Sequence, residues 1–180
     1  MVTVVICGIL EYEVRKVLKG LDMDVRVLPG GLHMYPDMLR ERLARELEGI
    51  TDGCIIVVYG KCFKGIDEVC RQHGAVRVEG DTCYEIVAGD LFSRLLKEEP
   101  GTYFLLPQLC DQFENLTGAL HMEEERDTYF KHYTRCVFLD TGTGSGDTCL
   151  KIAQTLGLPY EGIYVGTEIL EGRLRRALER

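Results

Sequence analysis

Short apolar runs rich in Val and Ile recur along the chain at 2–6 (VTVVI), 24–28 (DVRVL), 54–59 (CIIVVY), 75–79 (AVRVE), 102–106 (TYFLL), 135–140 (RCVFLD) and 162–166 (GIYVG). Runs of four to six residues with so little polar alternation read as strands covered on both faces. Between them the apolar positions change to helical spacing. Leu39, Leu43 and Leu47 recur every fourth residue behind Pro36, which suits a first helical turn, and Ile86, Val87, Leu91 and Leu95 mark another apolar face. Two more helices are predicted over 146–156 and 167–179. This alternation predicts one α/β domain over residues 1–180, Rossmann-like, with a mainly parallel sheet of six or seven strands and helices on both faces. The segment 108–134 interrupts it with two helical stretches broken at Thr117-Gly118 and no strand signal, so it reads as a helical insertion over one end of the sheet. No linker, repeat or low-complexity segment marks a domain boundary.

The charge balance narrows the classes of partner. A net charge of -8 argues against a surface that neutralises phosphates, and hence against nucleic acid. No apolar run reaches the roughly 18 residues of a membrane span, and the start MVTVVICGILEYE has neither the basic region nor the cleavage site of a signal peptide. The expected location is the cytoplasm. Eight cysteines are many for a protein of a reducing compartment with an adequate core, so disulfides are the weaker explanation and metal, cluster or thiol chemistry the one to test.

Placement sorts these cysteines. In a parallel α/β sheet, ligands bind beyond the carboxyl ends of the strands, where loops converge and helix N-termini point. The residues just past the first four strands are Cys7-Gly8, Gly30-Gly31-Leu32-His33, Tyr59-Gly60-Lys61-Cys62 and Gly80-Asp81-Thr82-Cys83. Cys7, Cys62 and Cys83 are therefore expected to meet in space with their sulfurs about 4 to 7 Å apart, and His33 to face the same crevice. Gathered thiolates repel unless a cation binds them. Three cysteines suit an iron–sulfur cluster with one open iron, and His33 as a fourth ligand suits zinc. With no C-x-x-C pair in the chain, a closed structural zinc knuckle is disfavoured. The competing reading is three thiols that pack or react without metal. Tyr84 and Glu85 could add a phenol and a carboxylate, although Glu85 equally suits a first helical turn. Cys54 and Cys136 fall in strands, Cys70 and Cys149 on helices, where a thiol usually fills space; Cys110 is an outlying candidate.

A second ligand-contacting region is predicted after the sixth strand, where VFLDTGTGSGDTCLKIAQTLGL (137–158) resembles the first motif of class I S-adenosylmethionine methyltransferases. Asp140, Gly142 and Gly144 would line the crevice there, with Gly8 and Gly60 on the other strand ends, and Asp147 could cap the helix. The loop comes too late in the chain for that family's usual order, and the N/D-P-P-Y motif of its permuted members is absent, so contact with a phosphate, carboxylate or nucleotide is the more general expectation.

Taken together, ICGILEYE, LHMYP, VVYGKC, DTCYEIVAGD, GTYFLLPQLCDQF, YFKHY and IAQTLGLPYEG resemble the domain of unknown function 1638 family, proteins of methanogens and other anaerobes. The resemblance spans nearly the whole chain and carries over Cys7, Cys62, Cys83 and His33 as site residues. It implies a place beside the corrinoid-dependent methyltransferases of one-carbon metabolism. The function expected on that basis is a cysteine-liganded metal or iron–sulfur protein that acts on or delivers a small molecule. The alternatives are a non-catalytic binding or assembly module for a methyltransferase system, and an S-adenosylmethionine-dependent methyltransferase using the Asp140–Gly146 loop. The family's glycine soon after the third strand-end cysteine is replaced here by Phe63 and Lys64. The corrinoid-binding D-x-H-x-x-G signature is absent, so direct cobalamin carriage is not expected.

Overall fold

A computed structural model describes residues 1–113 and 130–180. Seven strands alternate with helices in the order β1 (Val2–Cys7), α1 (Glu11–Val17), β2 (Met23–Leu28), α2 (Pro36–Glu48), β3 (Cys54–Val58), α3 (Ile66–Gln72), β4 (Ala75–Arg77), α4 (Cys83–Ala88), α5 (Asp90–Glu98), β5 (Thr102–Leu105), α6 (Pro107–Asp111), β6 (Arg135–Asp140), α7 (Gly146–Leu156), β7 (Tyr160–Tyr164) and α8 (Glu168–Leu178). Every strand pair is parallel. The strands form two hydrogen-bonded sheets, four in the order β2-β1-β3-β4 and three in the order β5-β6-β7, where the sequence suggested one. Hydrophobic pattern fixes which segments are strands. It does not say which edges pair, so continuity of the ladder between β4 and β5 was beyond its reach.

Val4, Val5 and Ile6 of β1 and Ile56, Val57 and Val58 of β3 are wholly buried, as their unbroken apolar runs require. Leu39, Leu43 and Leu47 form the buried stripe of α2, each worth roughly 1.5–3 kcal/mol of burial. β7, with Glu161, Gly162 and Tyr164 exposed, is the solvated edge. The predicted insertion, 108–134, begins in α6; its residues 114–129, with the break expected at Thr117-Gly118, lie outside the described residues.

One cysteine expectation is overturned here. Cys149, read as a space-filling thiol, forms a disulfide with Cys110, joining α7 to α6. The two residues are 39 apart in sequence and sit on different elements, a pairing that spacing alone does not reveal. The remaining six cysteines are free.

The first sheet places its switch point between β1 and β3, because β2 and β3 leave β1 in opposite directions along the strand order. A crevice at the carboxyl ends of β1 and β3 follows from that topology. Helix α1 spans the gap to the second sheet at the same level: Glu13 and Lys16 reach the loop after β6, and the Tyr12 hydroxyl donates to Asp111 Oδ2 at 2.9 Å.

Candidate functional site

The loops that carry Cys62 and Cys83 are locked to each other by backbone. A Cβ on Gly60 would lie 2.8 Å from both the Asp81 carbonyl oxygen and the Thr82 Cα, so only glycine lets β3 leave the sheet against this loop. Lys61 N donates to Asp81 O at 2.7 Å, and their side chains form an exposed ion pair. Arg77, at the end of β4, donates to the carbonyls of Tyr59 and Gly80 at 2.8 and 2.7 Å and ties the two strand ends from below. Gly80 has φ +131 and packs on Arg173 and Ile86, another position closed to a side chain.

Of the three strand-end cysteines, Cys7 and Cys83 interact side chain to side chain, while Cys62 and these two influence one another through charge alone. Cys7 is buried, while Cys62 and Cys83 are half-buried. The Cys83 thiol donates toward Cys7 and holds it below the ordinary thiol range against the opposing cost of burial; the Ile9 N–H and the Tyr59 hydroxyl help, and Cys62 acts the other way. Cys83 is in turn pushed well up, first by serving as that donor and then by burial, with the Gly60 N–H partly offsetting both. The pair thus gives up one proton early and the other late. Cys62 is pushed up to about 11 by burial and by Cys83, with Arg77 opposing. Two backbone N–H groups are therefore directed at sulfurs of the set. The Tyr59 hydroxyl is fully buried beside Cys7 without completing a hydrogen bond of good geometry. A groove of about 620 Å³, lined in part by Pro36, Cys62, Phe63 and Ile66, opens Cys62 to solvent; Cys7 and Cys83 do not line it.

Glu13 is a buried carboxylate that the sequence did not disclose. It is wholly buried in the first turns of α1, where its Oε1 accepts from Thr141 Oγ1 at 2.7 Å and Thr143 Oγ1 at 3.0 Å. Its Oε2 is buried with no partner. Burial raises its pKa; the two threonine hydroxyls and Lys16 oppose that rise. Its charge reaches Cys83, which it pushes up. Nothing in ILEYE distinguishes this carboxylate from Glu11; only the approach of the β6 loop does. Gln108, behind Pro107 after β5, likewise buries an Oε1 without a donor.

The other predicted residues have local duties. His33 Nδ1 meets the Gly30 carbonyl at 2.6 Å, and the ring does not figure among the leading influences on the three thiols. Gly8 lets the end of β1 pack on the Leu28 carbonyl and Gly30 N–H, each 3.0 Å from where a Cβ would be. Asp140 Oδ1 accepts from Gly142 N at 2.8 Å, Lys16 Nζ donates to the Thr141 and Gly142 carbonyls, and Gly144 packs on Pro107. Ser145 caps α7 by accepting from Asp147 N. The loop thus spends most of its polar groups on the protein itself. Thr82 caps α4, accepting from Glu85 N, while Glu85 Oε2 accepts from Asp81 N, so Glu85 is a capping residue. Tyr84 stacks in an aromatic cluster with Phe92 and Phe104. Cys54, at the start of β3, is at the opposite edge from Cys62. Burial pushes Cys70 and Cys136 up to about 11.

Among the described residues no group of three or more His, Cys, Asp or Glu side chains stands as a set that could hold a metal ion. A tetrahedral zinc would draw its sulfurs to about 3.8 Å of one another. A cluster places iron between each sulfur and its centre and accepts a wider spread.

A sequence model of proteins of unknown function, DUF1638, matches residues 27–174. The chain belongs to this family. The DUF1638 match includes Cys62, Cys83, His33 and the Asp140 loop, while Cys7 and Glu13 lie ahead of it. No curated protein matches the chain. No helix among the described residues is long and apolar enough to cross a membrane.

Proposed function

We propose that Cys7, Cys62 and Cys83 bind a soft metal centre, an iron–sulfur cluster held by three thiolates, through which the protein acts on or delivers a small molecule. The observation that carries this reading is the coupling of the three thiols from separate strand ends at the switch point, with Cys7 already favoured as thiolate by the Cys83 thiol and the Ile9 N–H. Binding would replace the proton that Cys83 shares with Cys7, since only thiolates ligate. N–H groups directed at ligand sulfurs are also a means by which proteins tune such centres, and Ile9 and Gly60 offer them here. A cluster held by three thiolates asks for no fourth protein ligand, whereas a single zinc would need His33 through its Nε2, the Nδ1 being bonded to the Gly30 carbonyl.

When bound, the cluster would supply electron transfer or an open iron for a small ligand. The protein's part is to exclude water around Cys7, to hold Cys62 where the groove admits a reactant, and to keep the Tyr59 hydroxyl as a buried polar group beside Cys7. A methyl- or sulfur-bearing reactant of anaerobic one-carbon metabolism, handed to or taken from a corrinoid methyltransferase system in the cytoplasm, is the context that the family resemblance suggests. Anaerobic reconstitution with iron and sulfide, followed by metal analysis and absorption spectroscopy, tests the reading. It predicts stoichiometric iron and sulfide and a broad band near 400 nm, on the order expected for thiolate-to-iron charge transfer. Colourless protein with one zinc would favour the mononuclear site instead.

A further inference from the structure

We propose that the groove beside Cys62 binds a small organic acid, a ligand with an apolar body and one anionic head group. This goes beyond the reading of the three cysteines and depends on no metal.

The lining supplies the apolar half of the argument. Pro36, at the start of α2, shares the groove of about 620 Å³ with the turn after β3 and the first residues of α3, where Cys62, Phe63 and Ile66 add apolar surface. That size and that mostly apolar character suit a small molecule. Apolar surface continues past the lining, because Met34, Tyr35 and Met38 flank Pro36 in sequence and are 40%, 54% and 58% exposed. Single apolar side chains in water mean little, but a group of them beside a concavity marks a binding groove. Methionine also adapts its shape to what it meets.

Charge supplies the other half. The chain carries a net charge of -8, yet the charges left unneutralised on the lining and on the stacked Arg40 are positive. Of the groups in the lining, Asp67 accepts from Arg77 Nε at 2.6 Å and Lys61 pairs with Asp81 at 2.7 Å. Lys64 also lines the groove, is exposed, and has no carboxylate partner among the described residues. Arg40 lies over the Phe63 ring, 5.3 Å from its centroid, and gives one N–H to the Lys64 carbonyl at 2.6 Å, which leaves the rest of its fork for a ligand. Pro36 and Arg40 are four residues apart and share a face of α2, while Asp37 and Glu41 stand a step round the helix. An anionic head group would pair with Arg40 and Lys64 while its apolar body covers the lining; a neutral molecule of the same shape would leave both cations unpaired.

The test uses the full chain without added metal and two probes that share one apolar body, anilinonaphthalene sulfonate and its uncharged counterpart phenylnaphthylamine. Probe fluorescence reads binding, and the rate at which iodoacetamide alkylates Cys62 locates it, with Cys54 at the other end of β3 as the internal control. The sulfonate should protect Cys62 and not Cys54, and should bind at least about tenfold more tightly than the neutral probe, the scale of one hydrogen bond to a charged group. Arg40→Gln combined with Lys64→Gln should bring the sulfonate down to the affinity of the neutral probe, whereas Arg40→Lys, which keeps the charge, should retain most of the preference. Equal binding of the two probes, a preference that survives the double variant, or sulfonate binding that leaves Cys62 unprotected would overturn the proposal. Protection of Cys62 in a chain that takes up no iron would uphold this site and remove the cluster, so the two readings fail separately.

Discussion

Lys61 N donates to Asp81 O at 2.7 Å, a single backbone bond that ties the turn carrying Cys62 to the turn carrying Cys83. Gly60 makes the approach possible, since any Cβ there would press on Asp81 and Thr82 backbone. Gly60→Ala should therefore part the two loops. The expected cost is about 1–3 kcal/mol in urea unfolding, in the range of overpacking. Iron uptake should fall with it, whereas Gly172→Ala, whose Cβ would make only an ordinary contact with Arg176, should leave uptake intact.

The asymmetry between Cys7 and Cys83 gives a spectroscopic prediction for metal-free protein. Thiolate absorbance near the ultraviolet edge should appear first from Cys7, below the ordinary thiol range, because Cys83 is its leading support. Cys83→Ala should move that midpoint up. A pH titration of the two proteins checks the direction, and equal midpoints would contradict the coupling.

The raised pKa of Glu13 makes the metal-free fold sensitive to pH in a definite sense. Below the unfolded carboxyl pKa of about 4.3 the group is protonated in both states and costs nothing. As pH rises towards the native value, the unfolded chain ionises and the folded chain does not, so stability falls. The loss amounts to roughly 1.4 kcal/mol for each unit by which the native pKa is raised. Glu13→Gln should abolish this fall while retaining the threonine bonds. Denaturant unfolding from pH 4 to pH 8 measures it, and an unchanged slope in the variant would assign the pH dependence elsewhere.

The pairing of Cys110 with Cys149 predicts six titratable thiols in denatured, unreduced protein and eight after reduction. Cys110→Ser should cost about 2–4 kcal/mol by freeing the unfolded chain from a closed loop. Eight thiols before reduction, in protein never exposed to reductant, would show that the bond does not form.

Much of this was legible in the sequence, for a physical reason. Unbroken runs such as CIIVV belong to strands covered on both faces, and parallel strands deliver their ends to one edge, so the strand ends ahead of Cys62 and Cys83 and at Cys7 could be placed on one side of the sheet from position alone. Glu13 could not. Its role depends on Thr141 crossing from another sheet, a contact with no sequence period. The disulfide and the division of strands into two sheets were hidden likewise, because both are pairings between segments and the hydrophobic pattern describes segments singly. The bond from His33 to its own turn, Nδ1 to the Gly30 carbonyl, was not legible either, because a histidine after a strand looks the same in sequence whichever way its ring is held.

The central claim is that three strand-end thiols hold one cluster, and the most direct measurement is iron and acid-labile sulfide per chain on protein prepared without oxygen. The account predicts about four of each in the wild type. It predicts strong depletion in Cys7→Ser, Cys62→Ser and Cys83→Ser with the fold retained, and no change in Cys54→Ser or Cys136→Ser, whose thiols are at the opposite ends of β3 and β6. Folded wild-type protein free of iron after reconstitution, or equal iron in all five variants, would contradict it.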